Sequence, residues 1–298
     1  MSAPAPHAGL LAANPPRQRS ATVLGVPSSY WEYGPADAPV TLLLVHGFRG
    51  EHHGLEPVAV RLPGVRVISP DLPGFGQSPA FADRPHDIAS YAAWLTEFAR
   101  ELGIEGRAIV LGHSFGSIVA SAAVASSLRT PRLILVNPIA APALEGPSGF
   151  LSRLTELYYR AGEKLPERLG RGLLSNGLIV RFMSVTMAKT GDRELRRWIH
   201  QQHHTYFSQF ASRRSVSEGF TASISHDVSM YAPHIEVPVL LIAAEKDPIA
   251  AVPAQRRLQS LFPDARLEVI DGVGHLIHYE KPAEAAALIL GFLGQDAA

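Results

Sequence analysis

The pentapeptide Gly112-His113-Ser114-Phe115-Gly116 is the part of this chain best suited to nucleophilic chemistry. It spells G-x-S-x-G. Arg107-Ala108-Ile109-Val110-Leu111 precedes it and reads as a short buried strand. Ser117 to Ala125 follows, small and apolar, and reads as a buried helix. A strand entering a helix through so tight a turn strains the serine backbone. Only small residues at Gly112 and Gly116 let strand and helix approach closely. The turn lifts the hydroxyl clear of the sheet, at a helix N-terminus whose dipole favours a nearby negative charge. Taken alone, the same five residues also fit a Gly-rich turn with a bystander serine.

A serine nucleophile needs a base, and the base needs an orienting acid. For a nucleophile on a strand-turn-helix, the expected chain order is serine, acid, histidine. Ala243-Ala244-Glu245-Lys246-Asp247-Pro248 follows one apolar run, and Gly272-Val273-Gly274-His275 follows the next. Asp247 and His275 are therefore the candidate acid and base. Asp247 could equally be a surface turn residue, and His275 is one of 13 histidines. Three suitable residue types after three strands are harder to obtain by accident. Glu245 is the second candidate acid, nearer the strand and expected to point away.

Other polar residues have plainer readings. His46 precedes Gly47 after an apolar run and is expected to shape that loop through hydrogen bonds. His278 is expected on the opening turn of the last helix, as a structural or cleft-wall residue. Asp71, Gly74 and Gly76 form a turn after a strand. His200, His203 and His204 have helical spacing, with His226 beyond, but lack a third ligand and supporting shell, so no metal is expected. Arg193, Arg196 and Arg197 read as a solvated helix face. Tyr158, Tyr159, Phe182, Met183, Met187, Trp198 and Phe207 read mostly as a local core, some of them lining an apolar pocket.

The elements that must position these groups alternate. Strands are expected at Ser20 to Val26, Ser29 to Tyr33, Val40 to Val45, Val65 to Ser69, Leu133 to Val136, Val237 to Ala243 and Ala265 to Ile270. Helices are expected at His86 to Leu102, Pro253 to Phe262 and Pro282 to Leu293. This rhythm implies a mostly parallel, doubly wound sheet covered on both faces. It breaks after Pro138. Residues 139–226 carry helical periodicity at Phe150 to Leu165 and Asp192 to Phe210 and no convincing strand. They are expected to form a helical lid inserted between two parts of one α/β domain, 20–138 and 227–298.

Composition limits the alternatives. The chain has 298 residues, 46% hydrophobic, with 27 basic and 27 acidic side chains. Zero formal charge argues against a nucleic-acid partner. No cysteine is present, which removes a cysteine nucleophile and thiolate metal sites. No apolar run is long enough to span a membrane. Residues 1–19, rich in Ala, Pro and Arg with no sustained apolar stretch, read as a disordered tail on a cytoplasmic protein.

Five segments together resemble the α/β-hydrolase family: Leu44-Val45-His46-Gly47-Phe48, Asp71-Leu72-Pro73-Gly74-Phe75-Gly76-Gln77-Ser78, the Ser114 turn, Glu245-Lys246-Asp247-Pro248 and Gly274-His275. The resemblance spans residues 20 to 293. It implies an eight-stranded sheet with an all-helical cap, and it is similar to the capped group of esterases, carbon–carbon bond hydrolases, epoxide hydrolases and haloalkane dehalogenases. It also implies oxyanion donors at the backbone N–H groups of Phe48 and Phe115, and no cofactor. Epoxide hydrolases and dehalogenases of this family place aspartate where Ser114 stands. Carbon–carbon bond hydrolases commonly carry Asn and Trp where His113 and Leu276 stand. The expectation is therefore hydrolysis of a carboxylic ester or thioester of a small to medium hydrophobic molecule, by a monomer or homodimer. The alternatives are carbon–carbon cleavage, a perhydrolase, or a ligand-binding protein without turnover.

Overall fold

In the computed structural model, which describes residues 5–141 and 149–294, the first half of the chain alternates strands and helices. In order these are α1 (Ala8–Ala13), β1 (Arg17–Val23), β2 (Val26–Tyr33), β3 (Val40–Val45), α2 (His52–Ala59), β4 (Val65–Pro70), α3 (Ile88–Glu101), β5 (Ile109–His113), α4 (Phe115–Ser126) and β6 (Leu133–Val136). Five helices follow: α5 (Gly149–Lys164), α6 (Glu167–Leu174), α7 (Gly177–Met187), α8 (Arg193–Tyr206) and α9 (Arg213–Ser225). The alternation then resumes with β7 (Val239–Ala244), α10 (Val252–Gln259), β8 (Ala265–Ile270), α11 (Ile277–Glu280) and α12 (Pro282–Leu293).

The eight strands form one sheet in the order β1-β2-β4-β3-β5-β6-β7-β8. β1 and β2 pair antiparallel, as do β2 and β4, and the remaining pairs are parallel. Strands β5, β6 and β7 are buried along their whole length. That is why they read as unbroken apolar runs: helices cover both faces, so no position alternates to polar. Leu43 and Val45 pack on one face with Trp94, Phe98 and Ile118. Leu42 and Leu44, one residue out of phase, pack on the other with Leu55, Ile289 and Phe292.

Local chemistry starts and stops these elements. Leu24 and Gly25 both have positive φ, 49° and 77°, so two residues reverse the chain between β1 and β2 with a twist that matches the strands. Asp87 starts α3 by accepting from the Ser90 N–H at 2.8 Å. Ser212 and Ser215 form a reciprocal capping box at the start of α9.

The expected disordered tail needs correction, apart from its first four residues, which lie outside the described ones. Residues 8–13 form α1, and Arg17 already belongs to β1. His7 is buried, with Nε2 3.2 Å from Glu56 Oε2 and its ring edge-on to Trp198. The Ala- and Leu-rich stretch suits a helix, and the strand is held by pairing Arg17–Val23 with Val26–Glu32. Composition weighs residues singly and does not register such pairing. Phe182 also departs from expectation: it is two-thirds exposed on α7, whereas Tyr159 and Trp198 are buried. Among the described residues, no helix is long and apolar enough to cross a membrane.

β3 leads to β4 on one side of the sheet, and the chain returns to β5 on the other. The crevice at the carboxyl ends of β3 and β5 is therefore a topological switch point, where open α/β sheets bind ligands.

Candidate active site

The switch point is lined by the loop after β3 and the turn between β5 and α4. Ser114 stands in that turn with φ 54° and ψ −119°, a region that L-residues rarely adopt. The strain is imposed by packing. A Cβ on Gly116 would lie 2.2 Å from the Val45 carbonyl oxygen, and one on Gly112 would lie 2.4 Å from the Gly116 carbonyl oxygen. A Cβ on Gly47 would meet the Ser114 Cβ at 3.3 Å, so the β3 loop runs directly against the serine. Replacing Gly116 by alanine is expected to force β3 and α4 apart and to cost about 3 kcal/mol. A urea denaturation midpoint unchanged from that of the parent chain would contradict this.

Three side chains far apart in sequence converge here. His275 Nε2 lies 2.8 Å from Ser114 Oγ, and His275 Nδ1 lies 2.8 Å from Asp247 Oδ2. The His275 and Asp247 side chains are almost fully buried. This geometry suits the tautomer in which Nδ1–H donates to Asp247 and Nε2 accepts from the serine hydroxyl. The loops after β7 and β8 supply the carboxylate and the imidazole. Asp247 Oδ1 accepts from the backbone N–H groups of Ile249 and Ala250 at 2.8 and 3.1 Å. Burial works to raise the Asp247 pKa, but the facing imidazole and the hydrogen bonds outweigh it and hold the carboxyl below its ordinary range. Glu245 points elsewhere, accepting from Gly272 N–H.

The backbone N–H groups of Phe48 and Phe115 have no acceptor among the described residues. Phe115 opens α4, where the first N–H groups have no intrahelical partner. His46 shapes the loop beside them: its Nδ1 is 2.8 Å from the Gly47 carbonyl oxygen, and its Nε2 accepts from Leu72 N–H at 2.9 Å. His113 and His278 lie behind His275. Their rings meet edge to face at 4.2 Å, and His113 Nε2 is 3.5 Å from the His275 carbonyl oxygen. Burial, then the neighbouring imidazoles, keep both neutral: the His113 pKa falls to about 3 and that of His278 falls well below its ordinary value.

Two residues join the site that sequence reasoning did not single out. Asn137, at the end of β6 with φ 46°, donates through Nδ2 to Asp247 Oδ2 at 2.9 Å. The available signal was its type and place: asparagine tolerates left-handed backbone and here follows a strand. Arg49, one residue beyond Phe48, is 2% exposed. Its guanidinium donates to the carbonyl oxygens of Phe207 and Leu174, both at 2.8 Å, and to Tyr159 Oη at 3.3 Å. Phe48 packs edge-on against Phe75, Phe115 and Tyr159 and lies against Phe220. The helical insert is thus fastened to the β3 loop by one buried cation and an aromatic cluster. The two surface cavities described, of about 270 and 320 Å³, lie away from Ser114. Side-chain geometry, rather than cavity size, places the site.

Asp71 is structural in a specific way. It accepts from His52 N–H at 2.8 Å and from Gln77 N–H at 2.8 Å, and its Oδ1 lies 2.9 Å from His52 Nδ1. Ligand-type atoms of Glu51, His52 and His53 lie within 4.8 Å of one another, and hydrogen bonds within the network already engage them. His200 and His203 instead converge on Ser184 Oγ, at 2.6 and 2.7 Å, while His204 is exposed. Burial opposes the His52 charge, but hydrogen bonds to Asp71 and Glu51 hold its pKa up at about 9, above the ordinary 6.5. Burial likewise opposes the Glu51 charge, but hydrogen bonds from His52 and His53 hold it down at about 2, below the ordinary 4.5. The His52 contribution to stability is therefore full below pH 6.5 and lost as pH rises through about 9. The Glu51 contribution is full above pH 4.5 and lost as pH falls through about 2. The denaturation midpoint is expected to fall between pH 6.5 and 9. A His52→Gln variant should show a flatter profile there, and an equally steep one would rule the network out as the cause.

This arrangement of sheet, turn and loops recurs in known proteins. Residues 42–288 match the profile of the alpha/beta hydrolase family. The chain is 30% identical to the magnesium-chelatase 30 kDa subunit of Rhodobacter capsulatus, over 90% of its own length and 92% of that protein's. It is 27% identical to epoxide hydrolase A of Mycobacterium tuberculosis, over 93% and 97%. Its fold superposes on a thermophilic esterase from Thermogutta terrifontis with a TM-score of 0.75 and 22% identity, over 94% of this chain and 98% of that one. With a family profile covering most of its length and an eight-stranded, mostly parallel sheet in the matching architecture, the chain belongs to the alpha/beta hydrolase family.

Proposed function

We propose that this chain hydrolyses a carboxylic ester or thioester through an acyl-enzyme on Ser114. The observation that carries the reading is the continuous path Ser114 Oγ, His275, Asp247, with both hydrogen bonds at 2.8 Å. His275 Nε2 takes the hydroxyl proton as Ser114 Oγ bonds to the acyl carbon. The imidazolium then gives that proton to the departing alcohol or thiol as the carbon–oxygen or carbon–sulfur bond breaks. Water repeats the cycle on the acyl-enzyme and frees the acid. Asp247, kept ionised by its partners, holds the tautomer and stabilises the transient cation. The N–H groups of Phe48 and Phe115 receive the oxyanion, each lowering the barrier by about 3 kcal/mol. The helical insert serves as the lid, and the half-buried Phe48, backed by Tyr159 and Phe220, offers a hydrophobic acyl or alcohol group an apolar contact. Neither a metal nor a cofactor enters these steps, and the substrate is a small molecule.

A fluorophosphonate is expected to label the folded protein stoichiometrically, with the adduct on Ser114. A panel of esters and thioesters of graded chain length then assigns the substrate class. Absence of labelling in protein that is folded would favour a ligand-binding role without turnover.

A further inference from the structure

The outer side of the insert carries a second constellation, remote in kind from the serine chemistry. A cavity of about 320 Å³ is lined by Arg181 of α7 and by Arg193, Arg196, Arg197 and His200 of α8. The positions 193, 196, 197 and 200 fall on one stripe of a helix, and Arg181 faces it from the neighbouring helix. Among the described residues, none of these four arginines has a carboxylate within ion-pair distance. Among the described residues, the four guanidinium groups make one hydrogen bond, from Arg196 Nη2 to the Gly191 carbonyl oxygen at 3.3 Å. Asp192, the adjacent acid, is engaged in capping α8 through the N–H groups of Glu194 and Leu195. Four like charges brought together with no carboxylate in ion-pair contact repel one another, so an anion settling among them relieves a standing cost.

An independent observation points the same way. His200 is 6% exposed and lines the cavity, and its Nε2 is buried with no hydrogen-bond partner among the described residues. Its Nδ1 shares the Ser184 hydroxyl with His203 Nδ1. One hydroxyl proton cannot serve both rings. When His203 donates to Ser184 and Ser184 donates to His200, the proton of His200 sits on Nε2, as a donor without an acceptor. Burial and then the charges of Arg181 and Arg196 lower the His200 pKa, so the ring is neutral, and in that arrangement it offers the N–H to the cavity.

We propose that Arg181, Arg193, Arg196, Arg197 and His200 form a binding site for a phosphate group borne by an organic ester or a lipid headgroup. A phosphate presents more acceptor oxygens and more negative charge than a carboxylate, which suits several guanidinium forks and one imidazole N–H converging from two helices. The same helix α7 exposes Leu178, Phe182 and Val185, at 82%, 67% and 52%, on the face that also carries Arg181. An apolar stripe beside a basic cluster is the pattern by which a helix rests on an anionic lipid surface, so the two possible bearers of the phosphate are separable.

The test uses the full chain and two probes. Inorganic pyrophosphate is titrated calorimetrically, and sedimentation follows binding to phosphatidylcholine vesicles with and without phosphatidylglycerol. The variant R196Q/R197Q removes two exposed charges and keeps ester hydrolysis as its folding control. At least tenfold weaker binding of either probe by this variant supports the site. If vesicle binding requires phosphatidylglycerol and also falls tenfold in Phe182→Ser, the phosphate belongs to a lipid. If pyrophosphate binds, vesicles do not and Phe182→Ser has no effect, it belongs to a soluble phosphoester. Binding of neither probe, or equal binding by parent and R196Q/R197Q, overturns the proposal.

Discussion

Ser114→Ala and His275→Ala are each expected to lower turnover of the best ester substrate by about 10⁶, with little change in KM. The two losses should be similar, because a serine without its base and a base without its serine both leave the acyl carbon unattacked. For the same reason the double variant should be scarcely worse than either single one. The 2.8 Å contact between Ser114 Oγ and His275 Nε2 makes this sharp, since nothing else described in the site sits where it could take that proton. Ser114→Ala also relieves no steric constraint, because the strained backbone is set by Gly112 against Gly116 and by Gly116 against Val45. The folded fraction should therefore persist. Measured kcat for purified Ser114→Ala protein within tenfold of the parent would move the chemistry away from this serine.

Asp247→Asn is expected to cost about 10⁴ in turnover. The amide matches the carboxylate in shape and can still accept from Ile249 and Ala250 through its oxygen. What it loses is charge, and with charge the tautomer. Placed with its NH₂ toward His275, the amide would favour a proton on Nε2, where the base must be free. Asn137 Nδ2–H, which donates to Asp247 Oδ2, would then face a second donor. The thermal midpoint should fall less than for Asp247→Ala, while kcat falls nearly as far. A kcat loss of less than tenfold for Asp247→Asn would mean that the acid does not orient the base.

Much of the architecture was legible from residue order alone. β6, β7 and β8 fall close to the expected apolar runs, and α12 spans the expected Pro282 to Leu293. Buried parallel strands and amphipathic helices announce themselves through neighbours a few residues apart. β1 begins at Arg17, three residues ahead of the expected Ser20, and α1 and α2 lie where no helix is expected. His278 stands not on α12 but on α11, a short separate helix ahead of it. These depend on contacts at a distance: β1 on its partner β2, and the α1 region on Glu56 and Trp198.

The candidate site divides along the same line. The residue types and their order along the chain, with Ser114 before Asp247 and Asp247 before His275, follow from the sequence, because each follows a strand that is itself locally encoded. The strained turn at Ser114 follows as well, since two glycines flanking a serine between a strand and a helix leave little else. Only the folded chain decides that Asp247 rather than Glu245 faces the imidazole, that Asn137 braces that acid, and that Arg49 ties the insert to the loop of Phe48. The reason is physical. Backbone propensity and hydrophobic period act over one or two turns, whereas the Asp247–Asn137 and Arg49–Leu174 hydrogen bonds join residues 110 and 125 positions apart. Which distant groups meet is set by sheet order and loop packing, and these are properties of the whole sheet rather than of any segment.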